Sequence, residues 1–332
     1  MEQIASEGSV LKSLLDIKDY RLQFAGHETF TLRYGWLKKV FDAVLKAKES
    51  RVADPSTIFT DSRSIADFGV GKNMVQSMRH WAISTAIIDD STLSATPLGR
   101  IMFAPRGDPY LEHPGSLWLL HWHLAALPGR ATTWHWAFNE FNEPTFDRDL
   151  LVSRLMTRID LLREAGRMKE SRLKETTVRR DVECFVRTYL TKSSTGKGLH
   201  EENLESPLSE LALIQPMGVG GGFQFRRGPK PTLPNEVFLY GLVRFWAELY
   251  KTRREFSVES LTHEPGSPGR VFLLDEESVA ERLAEMSDLT SGAVHWDEST
   301  GLRQVYVNDP SAIEPLDHIR KLYEATLHAR AA

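Results

Sequence analysis

The sequence holds one cysteine, Cys184, among its 332 residues. A lone thiol closes no disulfide within the chain and excludes a zinc site built on cysteines. A reducing, cytoplasmic setting is the expectation. There is no run of about 18 apolar residues, so no transmembrane helix and no membrane role are expected. The longest near-apolar stretch, Leu117 to Leu127, is broken by His121 and His123. The opening residues, MEQIASEGSV, carry acids where a secretion signal needs a basic start and an apolar run. An excess of charge is missing as well: the formal net charge is −4 and the pI is near 6.3. A nucleic-acid surface would therefore have to be a local patch. Apolar material is not scarce. With 41% hydrophobic and 26% charged residues, the chain is not of disordered type, and its length suits two or three domains.

The most informative stretch runs from Asp61 to Arg100. Asp61-Ser62 offers a cap for a short helix through Phe68. Gly69-Val70-Gly71 breaks it, and a longer helix follows from Lys72 to about Ile87. Residues 88–100 then read as a β-hairpin turning at Asp89-Asp90. A short helix, a glycine turn, a longer helix and a hairpin are the parts of a winged helix-turn-helix. Its second helix would present Lys72, Asn73, Gln76, Ser77, Arg79 and His80, residue types that read base edges or hold phosphates. Arg100 ends the hairpin. Winged helices also serve as docking or dimerisation modules, so the pattern alone leaves both roles open. Gly69-Val70-Gly71-Lys72-Asn73 is no P-loop: the glycine spacing is wrong and a helix precedes it. No nucleotide cofactor is expected.

Residues 113–141 are dense in tryptophan, phenylalanine and histidine. His121 and His123 point to different helix faces, so core packing is the expectation rather than a metal site. Between Arg148 and Lys192 basic residues outnumber acidic ones, twelve to seven. Long helices are expected there, with a Thr-capped start near Thr176 and an apolar stripe from Val178 to Tyr189. The basic side is either a solvated face or a phosphate-contacting one. Residues 193–204 read as a flexible loop. Gly218 to Lys230 reads as a hairpin with a basic end (Arg226, Arg227, Lys230), facing phosphates or acting as a linker. The last hundred residues repeat the first pattern: a helix from Asn235 to Thr252, a short helix after Ser257, a helix from Asp275 to Ser287, and a hairpin over 293–307. The would-be recognition helix, Asp275 to Met286, is acidic. Phosphates would repel it, so a protein-contact or dimer role is expected, with a final helix from Glu314 packed on the unit.

His27-Glu28 offers a base and a metal ligand, yet no neighbouring residues complete a metal-nuclease or serine-hydrolase pattern. The alternative is that the pair fixes the loop before the helix at Tyr34 to Ala47.

Taken together, FAGHETFTLRYGWLKK, DFGVGKNMVQSMRHWA, TPLG, TTVRRDVECFVRTY and RRGPKPTLP resemble one bacterial family, the B component of the Ssp DNA phosphorothioation system. The likeness covers roughly residues 22–325. It implies partners: double-stranded DNA, a cysteine desulfurase, an ATPase and a sulfur-transfer enzyme. It also implies a role in antiphage defence, recognising a short DNA site and nicking one strand so that sulfur enters the backbone. The matching positions are His27, Glu28 and Arg33, then Gly71, Lys72, Asn73 and Arg79, then Arg179, Arg180 and Asp181. A nickase would employ Mg²⁺ or Mn²⁺, with His27, Glu28 and Asp181 as candidate catalytic residues. A non-enzymatic adaptor or transcriptional regulator is the competing function.

The expected architecture is mainly α with small β-hairpin wings. Winged-helix units over 1–108 and 233–332 flank a helical middle region over 109–232.

Overall fold

The computed structural model describes residues 13–168, 173–190, 206–218, 221–250, 253–298, 301, 303–309 and 312–331. The loop expected over 193–204 lies outside them, as does most of the N-terminal lead-in. The chain is mainly helical, with two small antiparallel sheets.

Helix α1 (Trp36–Glu49) starts two residues later than expected, because Gly35 takes the left-handed conformation at its cap (φ 77°). Trp36, Leu37, Val40, Phe41 and Val44 repeat at helical spacing and are buried. Short α2 (Thr57–Thr60) and α3 (Ser64–Phe68) follow. Gly69 ends α3 at φ 66°, its N–H donating back to the Ile65 carbonyl. The turn leads into α4 (Lys72–Ser84).

The expected hairpin is reduced to one bridge, Ile88 to Ala95. Thr96 instead caps α5 (Pro97–Phe103), accepting the Gly99 N–H at 2.9 Å. Proline at the first helical position donates nothing and is preset for helix, so TPLG starts a helix rather than ending a strand.

Helices α6 (Pro114–Ala125) and α7 (Thr132–Asn139) hold the aromatic and histidine segment, and nearly every residue in them is buried. That is the pattern of central helices. His121 sits between the Tyr189 hydroxyl and the Val271 carbonyl, each at 2.8 Å. These histidines serve the core, as their spacing indicates.

Strand β1 (Thr145–Phe146) precedes α8 (Arg148–Glu164), and α9 (Glu175–Tyr189) packs along α8. No Thr side chain caps α9; Lys174 stands at its cap. Strands β2 (Ile214–Pro216) and β3 (Phe223–Phe225) pair as a hairpin that begins before the Gly218 start expected, and β1 adds a third strand against β3. Helix α10 (Asn235–Leu249) enters the C-terminal part. There β4 (Glu255–Ser257), α11 (Val258–His263), α12 (Pro268–Val271), α13 (Glu276–Ala284), α14 (Met286–Leu289), β5 (Val294–Asp297) and β6 (Gln304–Val307) follow, with sheet order β4-β6-β5. Helix α15 (Pro315–Ala331) packs on α10 and also reaches α5. Buried apolar side chains from Leu14 to Tyr323 join in one cluster.

Candidate nucleic-acid interface

The loop before α1 is held by a buried clasp. The Asp181 carboxylate on α9 accepts from the Ala25 N–H at 2.9 Å and from His27 Nε2 at 2.6 Å. Its second oxygen accepts the Thr133 hydroxyl of α7. His27 and Asp181 are 1% and 2% exposed, so neither faces an incoming strand. The Thr29 N–H donates to His27 Nδ1 at 3.1 Å, which describes a neutral imidazole with its proton on Nε2 toward Asp181. Burial disfavours a charge on His27, the Cys184 sulfur and the Asp181 carboxylate beside it favour one and push its pKa up, and the Thr29 amide at Nδ1 opposes it. A second proton at Nδ1 would set two N–H groups against each other, so taking it up requires the Thr29 amide to turn away. His80, packed edge-on at 6.0 Å, goes the opposite way. Burial, helped by His27, pushes it down to about 3.

This loop is strained. Ala25, Glu28 and Thr29 all have positive φ (59°, 49° and 68°), with Gly26 between them at 111°. For a β-branched threonine that is an outlier, and such strain persists only where the surroundings enforce it. The clasp is that enforcement. It leaves Glu28 and Thr29 exposed.

Thr29 lines a cavity of about 340 Å³, together with Arg148, Arg179, Arg180, Glu183, Cys184 and Arg187. Arg148 begins α8. Its guanidinium lies 4.8 Å from the Phe223 ring centre and meets Glu183 at 2.5 Å. Arg179 bonds Asp149 at 2.5 Å and Glu175 at 3.2 Å. Arg180 is exposed. Cys184 is buried, its thiol donating to the Phe30 carbonyl at 3.5 Å. A larger cavity of about 500 Å³ lies between α1, α2 and α3. Its charged lining is evenly split (Lys39, Lys46 and Arg63 against Asp42, Asp61 and Asp67), so it has no preference for an anion. The smaller cavity is lined by four arginines and one glutamate.

Of the other residues marked in the sequence, Lys72 and Asn73 are exposed at the start of α4, and Arg100 is exposed on α5. Gln76 is half-buried and donates to the Phe59 carbonyl at 2.9 Å. Arg79 is half-buried with its guanidinium 5.9 Å from the Phe59 ring centre. Ser77 and His80 are buried, not outward. Helix α4 packs on more than one side, with Trp81 and Ser84 continuing the Ser77 face inward. Arg33 lies over Phe30 and Trp36, at 5.6 and 5.2 Å. Arg226 and Arg227 are exposed.

Lys230 is a correction. It is 5% exposed, and its ammonium donates to the carbonyls of Arg226, Gly228 and Leu273 at 2.8, 2.9 and 3.1 Å. Burial, with the cations Arg226 and Arg227 nearby, brings its pKa down to about 8. It fastens the basic loop and is not available to phosphates. Arg148 and Arg187 were missed as site residues: in sequence they are two members of a general basic surplus, and only the packing of α8 on α9 brings them together.

Among the described residues no three His, Cys, Asp or Glu side chains are placed to hold a metal ion. The clasp puts His27 and Asp181 together and leaves Glu28 outside it.

Fold and site together define a mainly helical protein with an arginine-lined cleft beside a locked loop. The chain belongs to the DUF4007 family of proteins of unknown function, whose model matches residues 24–323. It is similar to two crystal structures, of SspB and of magnesium ion-bound SspB. Each is 27% identical, with a TM-score of 0.77 over 94% of this chain and 90% of the other. No curated protein matches it.

Proposed function

We propose that the chain is a DNA-binding component of a phosphorothioation system, recognising a short site and nicking one strand there. The observation that carries the DNA contact is the cleft: four arginines from two packed helices line one cavity beside a strained, clasped loop. Guanidinium groups suit phosphate oxygens, which they grip by two parallel hydrogen bonds. The likeness to SspB supports the system. The order α3, glycine turn, α4 supports a helix-turn-helix, with Lys72 and Asn73 at the groove end and the wing reduced to one bridge. In the C-terminal part, the order α10-β4-α11-α13-β5-β6 with sheet order β4-β6-β5 supports a second winged helix, whose acidic α13 favours protein partners or a second copy. The three-part division at about 108 and 232 goes with this reading.

For strand scission, Glu28 is the carboxylate of the first motif that solvent and a strand can reach. Magnesium, named with one SspB structure, has no three-ligand protein site among the described residues; a Mg²⁺ ion held by one carboxylate would need phosphate oxygens and water to complete its shell. The sealing of His27 and Asp181 favours a second reading, a recognition subunit whose partners do the chemistry.

One experiment separates them. Purified protein is incubated with supercoiled plasmid in Mg²⁺, Mn²⁺ or EDTA, and duplex binding is followed across salt. Metal-dependent open circles that vanish in Glu28→Ala support the nickase. Intact plasmid with salt-sensitive binding supports the recognition subunit. Binding that ignores salt defeats both, because each phosphate contact contributes a slope of about −0.9 in log K against log salt.

A further inference from the structure

We infer that the arginine cavity is a receptor for a strand terminus, a phosphomonoester, rather than for an internal phosphodiester. The inference rests on the DNA reading above and goes beyond it by naming the group bound. Its first ground is charge. Arg148, Arg179, Arg180 and Arg187 against Glu183 leave a positive surplus within one cavity of about 340 Å³. The carboxylates that hold Arg179, Asp149 and Glu175, are 80% and 60% exposed, where solvent screens them. An internal diester brings a single negative charge. A terminal phosphate brings close to two at pH 7 and one more free oxygen to accept from the guanidiniums.

The second ground is shape. Arg179, Arg180, Glu183 and Arg187 lie within nine residues of α9, about 12 Å of helix. Arg148 faces them from the start of α8, and Thr29 closes another side. Cations on a ridge can follow a backbone that enters and leaves. Cations around a concavity favour a group with chain on one side only. The third ground is stiffness. Arg148 is pinned by Phe223 and Glu183, and the Thr29 corner by the clasp. Little ordering cost remains when the ligand arrives.

The test is competition binding by fluorescence anisotropy with the full chain and single-stranded deoxyoligonucleotides of one sequence. These carry a 5′-phosphate, a 3′-phosphate or hydroxyls at both ends. A hydroxyl-ended strand two nucleotides longer supplies the two extra charges as diesters. One of the phosphorylated ends is expected to bind about tenfold tighter than either hydroxyl-ended strand. That preference should vanish in Arg180→Ala and in Arg187→Ala with melting temperatures unchanged, and fade below pH 6 as the second phosphate proton returns. Equal affinity for all ends, lowered equally by Arg180→Ala, overturns the terminal site and leaves the DNA reading standing. No binding to these strands or to duplex removes both.

Discussion

Asp181 shows how a residue type misleads and then informs. An acid beside two arginines in a motif shared with the resembling family suggested catalysis; its geometry is that of a buried anchor with three donors on one carboxylate. Replacing it by alanine strands the His27 N–H and two further donors in the core. Asp181→Ala is expected to lose about 3–5 kcal/mol, read by urea unfolding, against a smaller loss for Asp181→Asn. Ser77, His80 and Lys230 teach the same lesson. Polar side chains on an amphipathic pattern are read as outward, and only packing shows that a serine or histidine lies beneath a second neighbour. Lys230 is inward because three carbonyls converge on it, a circumstance no local pattern announces. The exposure of Lys72, Asn73, Arg179 and Arg180 was legible because they stand off the apolar stripes of their helices.

At the scale of elements, helices with long apolar periods were readable, and α1, α4, α9, α10 and α15 fall within a few residues of expectation. Short elements were not. Strands β1 and β4 are two and three residues long and owe their existence to partners far along the chain. The Thr96-Pro97 pair carries a helix-cap signal that the hairpin expected over residues 88–100 passes over. The cap has a measurable worth: Thr96→Ala should cost about 1 kcal/mol, visible as a lower urea midpoint with an unchanged m-value. The first turn of α4 is the element-level test of recognition. Lys72→Ala should weaken duplex binding and reduce its salt slope by about 1 without altering the melting temperature.

For the whole molecule, the histidines give a pH dependence with a definite sign. His80, His121, His123 and His135 are buried, and burial first of all holds them down, at about 3, 4, 3 and 4. An unfolded chain binds protons at these groups near pH 6.5, while the folded one resists. Their contribution to stability is thus present above pH 6.5 and lost as pH falls toward 4. Denaturation midpoints should drop between pH 7 and pH 5 by an amount equivalent to several kcal/mol. A flat profile over that range would mean that these imidazoles reach solvent. The arginine cavity was the least legible feature, since it exists only where α8, α9 and the clasped loop meet.

That meeting place encloses the chain's single thiol. Cys184 is buried in the cavity wall with its thiol on the Phe30 carbonyl, so a thiol reagent added to native protein should react slowly, as the loop parts from α9. Its labelling rate is a clock for that opening. A ligand that seats in the cavity and ties Thr29 to the arginines should slow it in proportion to occupancy. The sequence's scarcest side chain therefore gives the cleft a reporter that needs no engineered label.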